Sequence, residues 1–522
     1  MMKTWGYGRV LLAVLTAGSL TFGVAGSVSA ASSKPQRGGT ITMAWQLDPS
    51  TCDLLHGCFG SGSFVSTDAY EAYAVFGALA YENPATGAAV MSFAKSITSN
   101  PTNDIWTITL KSNIKFSDGT PYDATAIQYN WLREQNPANT SQDISYVSNI
   151  KAMQVVSSLT LRVTLSTPDS QFDRVVASQL SFIGSPKAIQ DEGAGFGNAP
   201  VGAGPFVLQS WVHGSQWVLV RNSNYYFAPL PYANKLVINI ITSAQQRYNS
   251  LVTGASLLMG PAIDPTLVTE ATGLGYKAIE VKQDVGGENM MLNQKSTPFN
   301  SILAREALAH AINYSALNST VFGPLFPPVT RLISKPSPFY NSKLKLPGYD
   351  PKLAQKLLND YYAQTGQPLT FTFSVSTNSQ PEGEYLQAQL LSQYQHINPS
   401  VSVIANNAFG TVYAKSQFQV IVGGLIGYDP DPGWYQALDS NSATNFFGEN
   451  DPALDKALET GIQSANPAVR KAAYDTAQRL WIKDIPGIML YPNDAWLVFN
   501  TSVQNVKTSA GYPLWDQMWI KS

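Results

Sequence analysis

The sequence predicts an α/β fold, and three observations support that prediction. In the first half of the chain, apolar and polar residues alternate in several short segments, which is the pattern of half-buried strands. In the second half, three segments start with an N-cap residue followed by Pro and continue with apolar residues at helical spacing. Short apolar runs separate these helices, so strands and helices alternate there.

The strand patterns of the first half are interrupted by turns and by one helix. The segment from Trp106 to Lys111 continues through a turn into Ile114 to Phe116, and Asp118-Gly119 marks a further tight turn. A helix is expected from about Ala124 to Arg133. The other predicted strands are Gly38 to Asp48, Leu159 to Leu165, Phe206 to Leu208 and Trp217 to Val220.

The helices of the second half are marked by their first residues. Asp350-Pro351, Asp451-Pro452 and Asn466-Pro467 each place a side-chain acceptor before a proline at the first helical position. A further helix is expected to begin near Asn300. The predicted strands between these helices are Leu369 to Val375 and Phe418 to Val422.

The first thirty residues have the three parts of a secretory signal peptide. Lys3 and Arg9 precede an apolar run from Val10 to Val24, and the small residues Val28-Ser29-Ala30 form a cleavage site. Residues 1–30 are therefore expected to be removed, with retention of the run as a membrane anchor as the alternative. Because no Cys directly follows the run, we expect no lipid anchor and a periplasmic, or otherwise extracytoplasmic, location.

The charge balance of the chain argues against nucleic acids and acidic membranes as partners. With 33 basic and 35 acidic side chains, the formal net charge is −2, and 13% of the residues are charged. A protein that binds phosphate backbones presents an excess of Lys and Arg, which this composition does not supply. We therefore expect no nucleic-acid partner.

The two cysteines, Cys52 and Cys58, lie in a Gly-rich segment. In an exported protein such a pair is expected to form a disulfide, which stabilises the fold by about 2 kcal/mol. The alternative is a metal site that includes His56, but no other Cys or His lies within thirty residues on either side. The sequence favours the disulfide, and neither a metal nor a cofactor is expected.

Motifs of known catalytic sites are scarce in the sequence. It holds no GxSxG and no HExxH, and its four histidines, at positions 56, 213, 310 and 396, are not clustered. The stretch Gly202-Ala203-Gly204 is followed by Pro205 and a strand, so it is expected to form a turn and not a nucleotide-binding loop. An exported hydrolase that uses Asp429 and Asp431 as a carboxylate pair remains the alternative from another function class.

A candidate ligand site follows the apolar strand Val420 to Val422. The strand ends in Gly423-Gly424, and the next loop carries carboxylates and aromatic rings on a turn stiffened by prolines. Ligand crevices in α/β domains lie at such strand ends. In the alternative interpretation, the acids only shape the turns and the rings only pack. The candidate ligand contacts in this loop are Tyr428, Asp429, Asp431 and Trp434.

Seven segments, in one order along nearly the whole mature chain, carry a family resemblance. The most specific is WTITLKSNIKFSDGTP, which starts at Trp106. The others are GGTITMAWQLDPSTCD from Gly38, PVGAGPFVLQSW from Pro200, VLVRNSNYY from Val218, LNQKSTPFNSILAREALAHAIN from Leu292, YDPKLAQKLL from Tyr349 and GYDPDPGW from Gly427. Together they resemble the peptide- and nickel-binding type of bacterial extracellular solute-binding protein, family 5.

The resemblance implies a two-lobed periplasmic-binding-protein fold of type II, with a subdomain inserted in lobe one and a hinged cleft for the ligand. Closure of the lobes around the ligand is expected to create the form that a permease recognises. The hinge is expected near Asn289 to Asn293 and Leu490 to Asn493. The expected boundaries are residues 31–57, 191–290 and 493–522 for lobe one, 58–190 for the inserted subdomain and 291–492 for lobe two.

The candidate loop departs from the oligopeptide and dipeptide binders of that family. At the position where they hold an Asp that binds the free amino group of a peptide, this chain has Tyr428, with Asp429 one position later. The aromatic residue that they commonly carry nearby is Leu425 here. In lobe one, Trp45 is the candidate contact, with a core position as the alternative. An oligopeptide is the leading expectation for the ligand, and an oligosaccharide or a metal chelate are alternatives.

The resemblance therefore implies a binding protein and not an enzyme. We expect it to capture a small solute, most simply an oligopeptide, and to deliver it as a monomer to the membrane subunits of an ABC permease. A ligand-binding module that serves a sensor or receptor has the same fold and differs only in its partner, so it remains an alternative beside the hydrolase.

Overall fold

The computed structural model describes residues 34–521 with short gaps, and the described residues from Gln36 onward form one compact unit. The predicted signal peptide lies outside the described residues. So do residues 50, 57, 59–69, 142, 263, 283, 322, 324–327, 378, 406, 407, 409, 410, 414, 443, 493, 510 and 511. Within the described part, no helix combines the length and the apolar character needed to cross a membrane.

The strands form three larger sheets and three short two-stranded pairs. In chain order they are β1 (Thr40–Trp45), β2 (Ala80–Glu82), β3 (Ala89–Met91), β4 (Ala94–Ser99), β5 (Ile105–Leu110), β6 (Ile150–Ser157), β7 (Thr160–Leu165), β8 (Phe206–Val212), β9 (Gln216–Arg221), β10 (Lys235–Ile240), β11 (Leu258–Ala262), β12 (Lys277–Lys282), β13 (Val285–Leu292), β14 (Leu369–Ser376), β15 (Ile397–Ile404), β16 (Val420–Gly427), β17 (Gly487–Tyr491), β18 (Asp494–Phe499), β19 (Val503–Gln504), β20 (Thr508–Ser509), β21 (Tyr512–Pro513) and β22 (Trp519–Ile520).

The helices cover the faces of these sheets. In chain order they are α1 (Tyr70–Phe76), α2 (Ala124–Gln135), α3 (Ile144–Val147), α4 (Phe172–Ser178), α5 (Pro186–Glu192), α6 (Ala244–Val252), α7 (Pro265–Gly273), α8 (Ile302–Ala311), α9 (Tyr314–Val321), α10 (Pro351–Thr365), α11 (Gln380–Gln393), α12 (Gly433–Leu438), α13 (Pro452–Gln463) and α14 (Pro467–Asp484). Short 3₁₀ helices lie at Pro137–Asn139, Gly193–Asn198 and Trp515–Gln517.

The seven-stranded sheet has the order β12-β18-β11-β1-β10-β9-β8 and combines strands from both ends and the middle of the chain. Its central strand, β1, runs parallel to β10 and β11, with Trp45 opposite Ile240 and Gly260. Near the C-terminus, β18 inserts antiparallel between β11 and β12. We call the part built on this sheet lobe one.

The five-stranded sheet has the order β15-β14-β16-β13-β17. Strands β14, β15 and β16 are parallel, so their carboxyl ends lie at one edge of the sheet. Strand β13 runs antiparallel to β16 and β17, with Leu292 opposite Val420 and Val285 opposite Gly427. Side chains of β14, α8, α10 and α11 form one apolar core with this sheet. We call this part lobe two.

A four-stranded antiparallel sheet, β4-β5-β7-β6, lies between the first and second strands of lobe one in the sequence. Trp106 of β5 is opposite Val163 of β7, and both are buried with Trp131 of α2 in a separate core. Because this sheet has its own core, we call this part the inserted subdomain.

The predicted helix starts are confirmed by their caps. Asp350 Oδ1 accepts from the N–H of Leu353 at 3.0 Å, and Asp451 and Asn466 accept in the same way at the starts of α13 and α14. The helix predicted from Asn300 begins at Ile302. The first strand ends at Trp45, before the predicted end at Asp48, because the Asp48 carboxylate leaves the ladder and accepts from the indole N–H groups of two tryptophans, Trp211 and Trp217.

The boundaries of the lobes and of the inserted subdomain stay predictions. The sheets group the strands in the expected sequence regions, but they fix no residue at which one part ends. The predicted hinge has two segments. In the first, Asn289 to Leu292 lie on β13, and in the second, Leu490 and Tyr491 end β17. Residue 493, in the second segment, lies outside the described residues.

Candidate functional site

The carboxylate of Asp429 is the centre of a buried ion-pair group. The residue follows β16, and its side chain is 6% exposed. Both terminal nitrogens of Arg470, on α14, donate to it: Nη2 to Oδ1 at 2.7 Å and Nη1 to Oδ2 at 2.9 Å. Nε of Arg470 donates to the carbonyl oxygen of Gly461 at 3.1 Å, so three nitrogens fix the guanidinium. This bidentate geometry compensates the loss of hydration that burial of two charges causes.

A second arginine reaches Asp429 from the inserted subdomain. Nη1 of Arg174, on α4, donates to Oδ2 at 3.2 Å and to the carbonyl oxygen of Thr86 at 3.4 Å. Nearby, the backbone N–H of Ser170 donates to the carbonyl oxygen of Ile462 at 2.7 Å. We call this contact between the inserted subdomain and lobe two the seam. It comprises Thr86, Gly87, Asp169, Ser170 and Arg174 on one side and Tyr428, Asp429, Asp431, Ile462 and Arg470 on the other.

Asp431 is a buried acid beside Asp429. Its backbone N–H donates to Oδ1 of Asp429 at 3.0 Å, and its own Oδ2 has no hydrogen-bond partner among the described residues. Burial raises the pKa of Asp431 well above its usual range, and the carboxylate of Asp169 raises it further. Burial also raises the pKa of Asp169 to about 7. Both acids therefore retain protons at pH values at which an exposed Asp is ionised.

Tyr428 extends from lobe two onto lobe one. Its side chain packs against the apolar core of lobe one, and a Cβ added at Gly87 would lie only 2.6 Å from Cβ of Tyr428. Burial raises the pKa of the Tyr428 hydroxyl, whose oxygen has no hydrogen-bond partner among the described residues. Burial also raises the pKa of Glu82, on β2, to about 8, and the positive charge of Arg174 opposes that rise. An aromatic ring and a neutral acid therefore lie beside the ion-pair group.

The two tryptophans predicted as ligand contacts lie in cores. Trp45 is 1% exposed and stacks on Tyr70 with ring centroids 3.9 Å apart. Trp434 is 2% exposed, on α12, and stacks on Trp481 with centroids 6.1 Å apart. Tyr428, Asp429 and Asp431 meet at the seam, whereas Trp45 lies in the core of lobe one. A ligand contact at any of these five residues stays a prediction.

The predicted disulfide joins Cys52 and Cys58. Both are fully buried. The backbone N–H of Cys52 donates to the carbonyl oxygen of Gly197 at 2.7 Å, which joins the disulfide loop to the 3₁₀ helix Gly193–Asn198. His56 is exposed, and its Nε2 lies 3.2 Å from Oγ1 of Thr140. Across the described ranges, no group of three or more His, Cys, Asp or Glu side chains is arranged to hold a metal ion.

Arg174 and Arg470 were not among the predicted site residues. A signal for Arg470 exists in the sequence, because it shares a helix face with Ala473, Tyr474 and Ala477, all of which are buried. A charged residue within an apolar stripe needs a buried partner. No comparable signal exists for Arg174, which meets Asp429 across 255 positions of sequence.

Comparison with known families and curated proteins gives consistent matches. A family model described as "Bacterial extracellular solute-binding proteins, family 5 Middle" matches residues 88–446. The glutathione-binding protein GsiB of Salmonella paratyphi A is 30% identical over 256 residues, which are 49% of each chain. GsiB of Escherichia coli K12 is 29% identical over 270 residues, 51% of this chain and 52% of the relative. The chain therefore aligns with about half the length of these curated relatives.

Solved structures share the fold over nearly the whole chain. AgaA of A. tumefaciens R10, in complex with agropinic acid, has a TM-score of 0.82 at 20% identity, and the match covers 93% of this chain and 99% of that one. DppA of Helicobacter pylori, with the peptide STSA, has a TM-score of 0.80 at 20% identity and the same coverage. At this level of identity the likeness shows a common fold, and it confirms the predicted two-lobed α/β architecture.

Proposed function

This chain belongs to family 5 of the bacterial extracellular solute-binding proteins, and from that premise we propose that it captures a peptide or similar small solute and delivers it to an ABC permease. The two relatives named above are glutathione-binding proteins, and the two structures named above hold agropinic acid and the peptide STSA. All of them are binding proteins. We therefore assign this chain a binding role and no catalytic one.

One observation carries the proposal: the loop at the carboxyl end of β16 meets the inserted subdomain at the seam. The carboxyl ends of the parallel strands β14, β15 and β16 face that side, which is where α/β proteins bind small molecules. A solute held between the two parts would contact both of them only when they are together. Binding energy would then favour the closed form.

The arrangement at the seam bears on the class of solute. The carboxylate of Asp429 already accepts from Arg470 and Arg174, so an ammonium group of a peptide would have to displace Arg174 to reach it. Glu82 is the neighbouring acid that stays neutral at pH 7, and an ammonium beside it would favour its ionised form. We propose an oligopeptide as the solute. An oligosaccharide or a metal chelate are the other outcomes of the test below.

The same arrangement weakens the hydrolase alternative. A carboxylate pair in a glycosidase needs one group as acid and one as free base or nucleophile. Asp429 is held by two guanidinium groups, and Asp431 is buried with its pKa raised well above the usual range, which disfavours both as a free base or nucleophile. We also propose that the protein is extracytoplasmic and monomeric and that its partner is a permease. In the alternative, the same binding protein delivers its signal to a sensor, and only the partner differs.

Mass spectrometry of small molecules that co-purify with the native protein tests the proposal directly. We expect denaturation to release a peptide or similar solute in a ratio near one per chain. If none is retained, thermal-shift screening with glutathione and peptide libraries follows, because a ligand at about a hundredfold excess over its Kd stabilises the protein by about 2.7 kcal/mol. Turnover of a peptide or glycoside that is lost in Asp429→Asn would overturn the binding assignment. Deletion of adjacent permease genes with no loss of uptake would favour the sensor.

A further inference from the structure

The seam contains one ion pair that spans the inserted subdomain and lobe two and one that does not. Asp429 and Arg470 both belong to lobe two and stay paired whatever the neighbouring parts do. Arg174 belongs to the inserted subdomain, so its 3.2 Å contact with Asp429 exists only while the two parts touch. Among the described residues, separation of the parts therefore breaks one ion pair, that of Arg174 with Asp429, and leaves Asp429 compensated.

Two uncharged contacts at the seam make the approach of the two parts specific. The backbone bond from Ser170 to Ile462, at 2.7 Å, joins the segment before α4 to the end of α13. On the other side of Arg174, Gly87 has a φ of +64° and leaves room for Tyr428, which a side chain at that position would not. The backbone hydrogen bond and the close approach of Gly87 to Tyr428 thus hold the segments near Arg174 against lobe two.

Arg174 also interacts electrostatically with two acids of the inserted subdomain. The pKa of Asp173, its neighbour on α4, is raised by burial and lowered in turn by the charge of Arg174, and Glu82 responds to that charge in the same way. When the contact with Asp429 breaks, Arg174 therefore loses one partner and is still beside two carboxyl groups. A contact of this kind is reversible, because Asp429 keeps its pair with Arg470 when the contact breaks and Arg174 is 22% exposed to water.

We propose that Arg174 and Asp429 are positioning residues that form a latch between the inserted subdomain and lobe two and set the equilibrium between the open and closed forms. This inference rests on the proposed function, since it concerns closure of the same cleft. Because Arg174 is 22% exposed and its partner is already neutralised, the latch shifts the equilibrium by roughly 1.5-fold to fivefold and does not lock it.

The test measures closure in the ligand-free protein by single-molecule FRET. Dyes are attached to Ala152→Cys on the inserted subdomain and Lys456→Cys on α13, both of which are exposed, while the native cysteines stay in their disulfide. In Arg174→Gln we expect the ratio of open to closed molecules to rise roughly 1.5-fold to fivefold. An unchanged ratio would overturn the latch.

Arg133→Gln is the matched control. Arg133 is 17% exposed and donates to Asp53 at 2.8 Å, but its pair does not involve lobe two. The ratio should stay at the wild-type value in this variant, and an equal rise in both variants would show a general effect of lost arginine charge and overturn the inference. Thermal unfolding of both variants confirms that each is folded.

Salt dependence gives a second measurement. Raising NaCl from about 0.05 to 1 M shortens the screening length from above 10 Å to about 3 Å, so the open fraction of the wild type should rise while that of Arg174→Gln stays constant. Parallel salt responses in the two proteins would overturn the latch. These measurements use the ligand-free protein, so they do not depend on identifying the solute. If the latch is absent, the proposed solute binding is not affected.

Discussion

Asp429 and Arg470 form a two-point ion pair, with nitrogen–oxygen distances of 2.7 and 2.9 Å and both side chains less than a tenth exposed. The pair ties the loop after β16 to α14. Because that loop carries most of the predicted site residues, this buried charge pair contributes to their positions. The loop is therefore held from within lobe two before any solute arrives.

Replacing Asp429 with Asn should lower the free energy of unfolding by about 3–5 kcal/mol, because it leaves the buried Arg470 without a compensating charge. Urea unfolding followed by tryptophan fluorescence measures the loss. Asp475→Asn is the control, since Asp475 pairs with Lys471 on the same helix at a more exposed site and should cost less than about 1 kcal/mol. Equal losses in the two variants would contradict the anchoring role.

The turn at Gly204 should tolerate no side chain. A Cβ at this position would lie 2.5 Å from the carbonyl oxygen of Ala74 and 2.6 Å from the carbonyl carbon of Val75, both backbone atoms of α1. Gly204→Ala is therefore expected to destabilise the protein by about 1–3 kcal/mol. At Gly273, the last residue of α7, nothing lies within 4 Å, and Ala there should be neutral or stabilise by up to about 1 kcal/mol. Differential scanning calorimetry compares the two, and a harmless Gly204→Ala would refute the close packing.

Removal of the Cys52–Cys58 disulfide should cost about 2 kcal/mol, because the unfolded chain regains the entropy of a short loop. The double variant Cys52→Ser, Cys58→Ser is compared with the wild type by urea unfolding, with and without a reducing agent. Reductant should destabilise only the wild type. A wild type that is insensitive to complete reduction would show that the bridge contributes nothing.

The thermal midpoint should fall as pH rises from 5 to 8. Burial raises the pKa of Asp143, Asp169 and Glu288 to about 7 and that of Glu82 to about 8, whereas in the unfolded chain these acids titrate near 4. Stability from these protons is complete below about pH 4 and is lost as pH rises through the higher values. We expect a decrease of at least about 3 °C.

Asp169→Asn tests the source of that pH dependence. The side-chain oxygen of Asn can still accept from the N–H of Gln171, the bond that Asp169 makes at 2.7 Å, so the turn is preserved while one titrating group is removed. The slope of the midpoint against pH should become shallower in this variant. A midpoint that stays constant or rises between pH 5 and 8 would contradict the raised pKa values of these acids.

Local features of the fold were predictable because they depend on neighbours in sequence. Alternation along β5 reflects a strand with one buried face, and an Asp or Asn before Pro supplies the acceptor that the first turns of α10, α13 and α14 need. Element ends were less predictable. The first strand stops at Trp45 because distant tryptophans attract the Asp48 carboxylate, and no local pattern reports that.

The candidate loop was also predictable from sequence, as a strand end rich in acids and aromatic rings. The pairing and the burial of its side chains were not predictable. Asp429 is neutralised by one arginine 41 positions away and by another 255 positions away, and Tyr428 packs on a core formed by other parts of the chain. The order of residues along the chain specifies the hydrogen-bonding groups, but not which distant group comes within 3 Å of them.

The sequence by itself determined the α/β class, the family, the helix starts and the pairing of two cysteines, because each follows from local spacing or from a series of short segments in order. Tertiary structure alone decided that Asp429 is an ion-pair anchor, that Asp431 is a buried acid with a raised pKa and that Trp45 is a core residue. Charge and burial are properties of the space around a side chain, and that space is filled by residues from both ends and the middle of the chain.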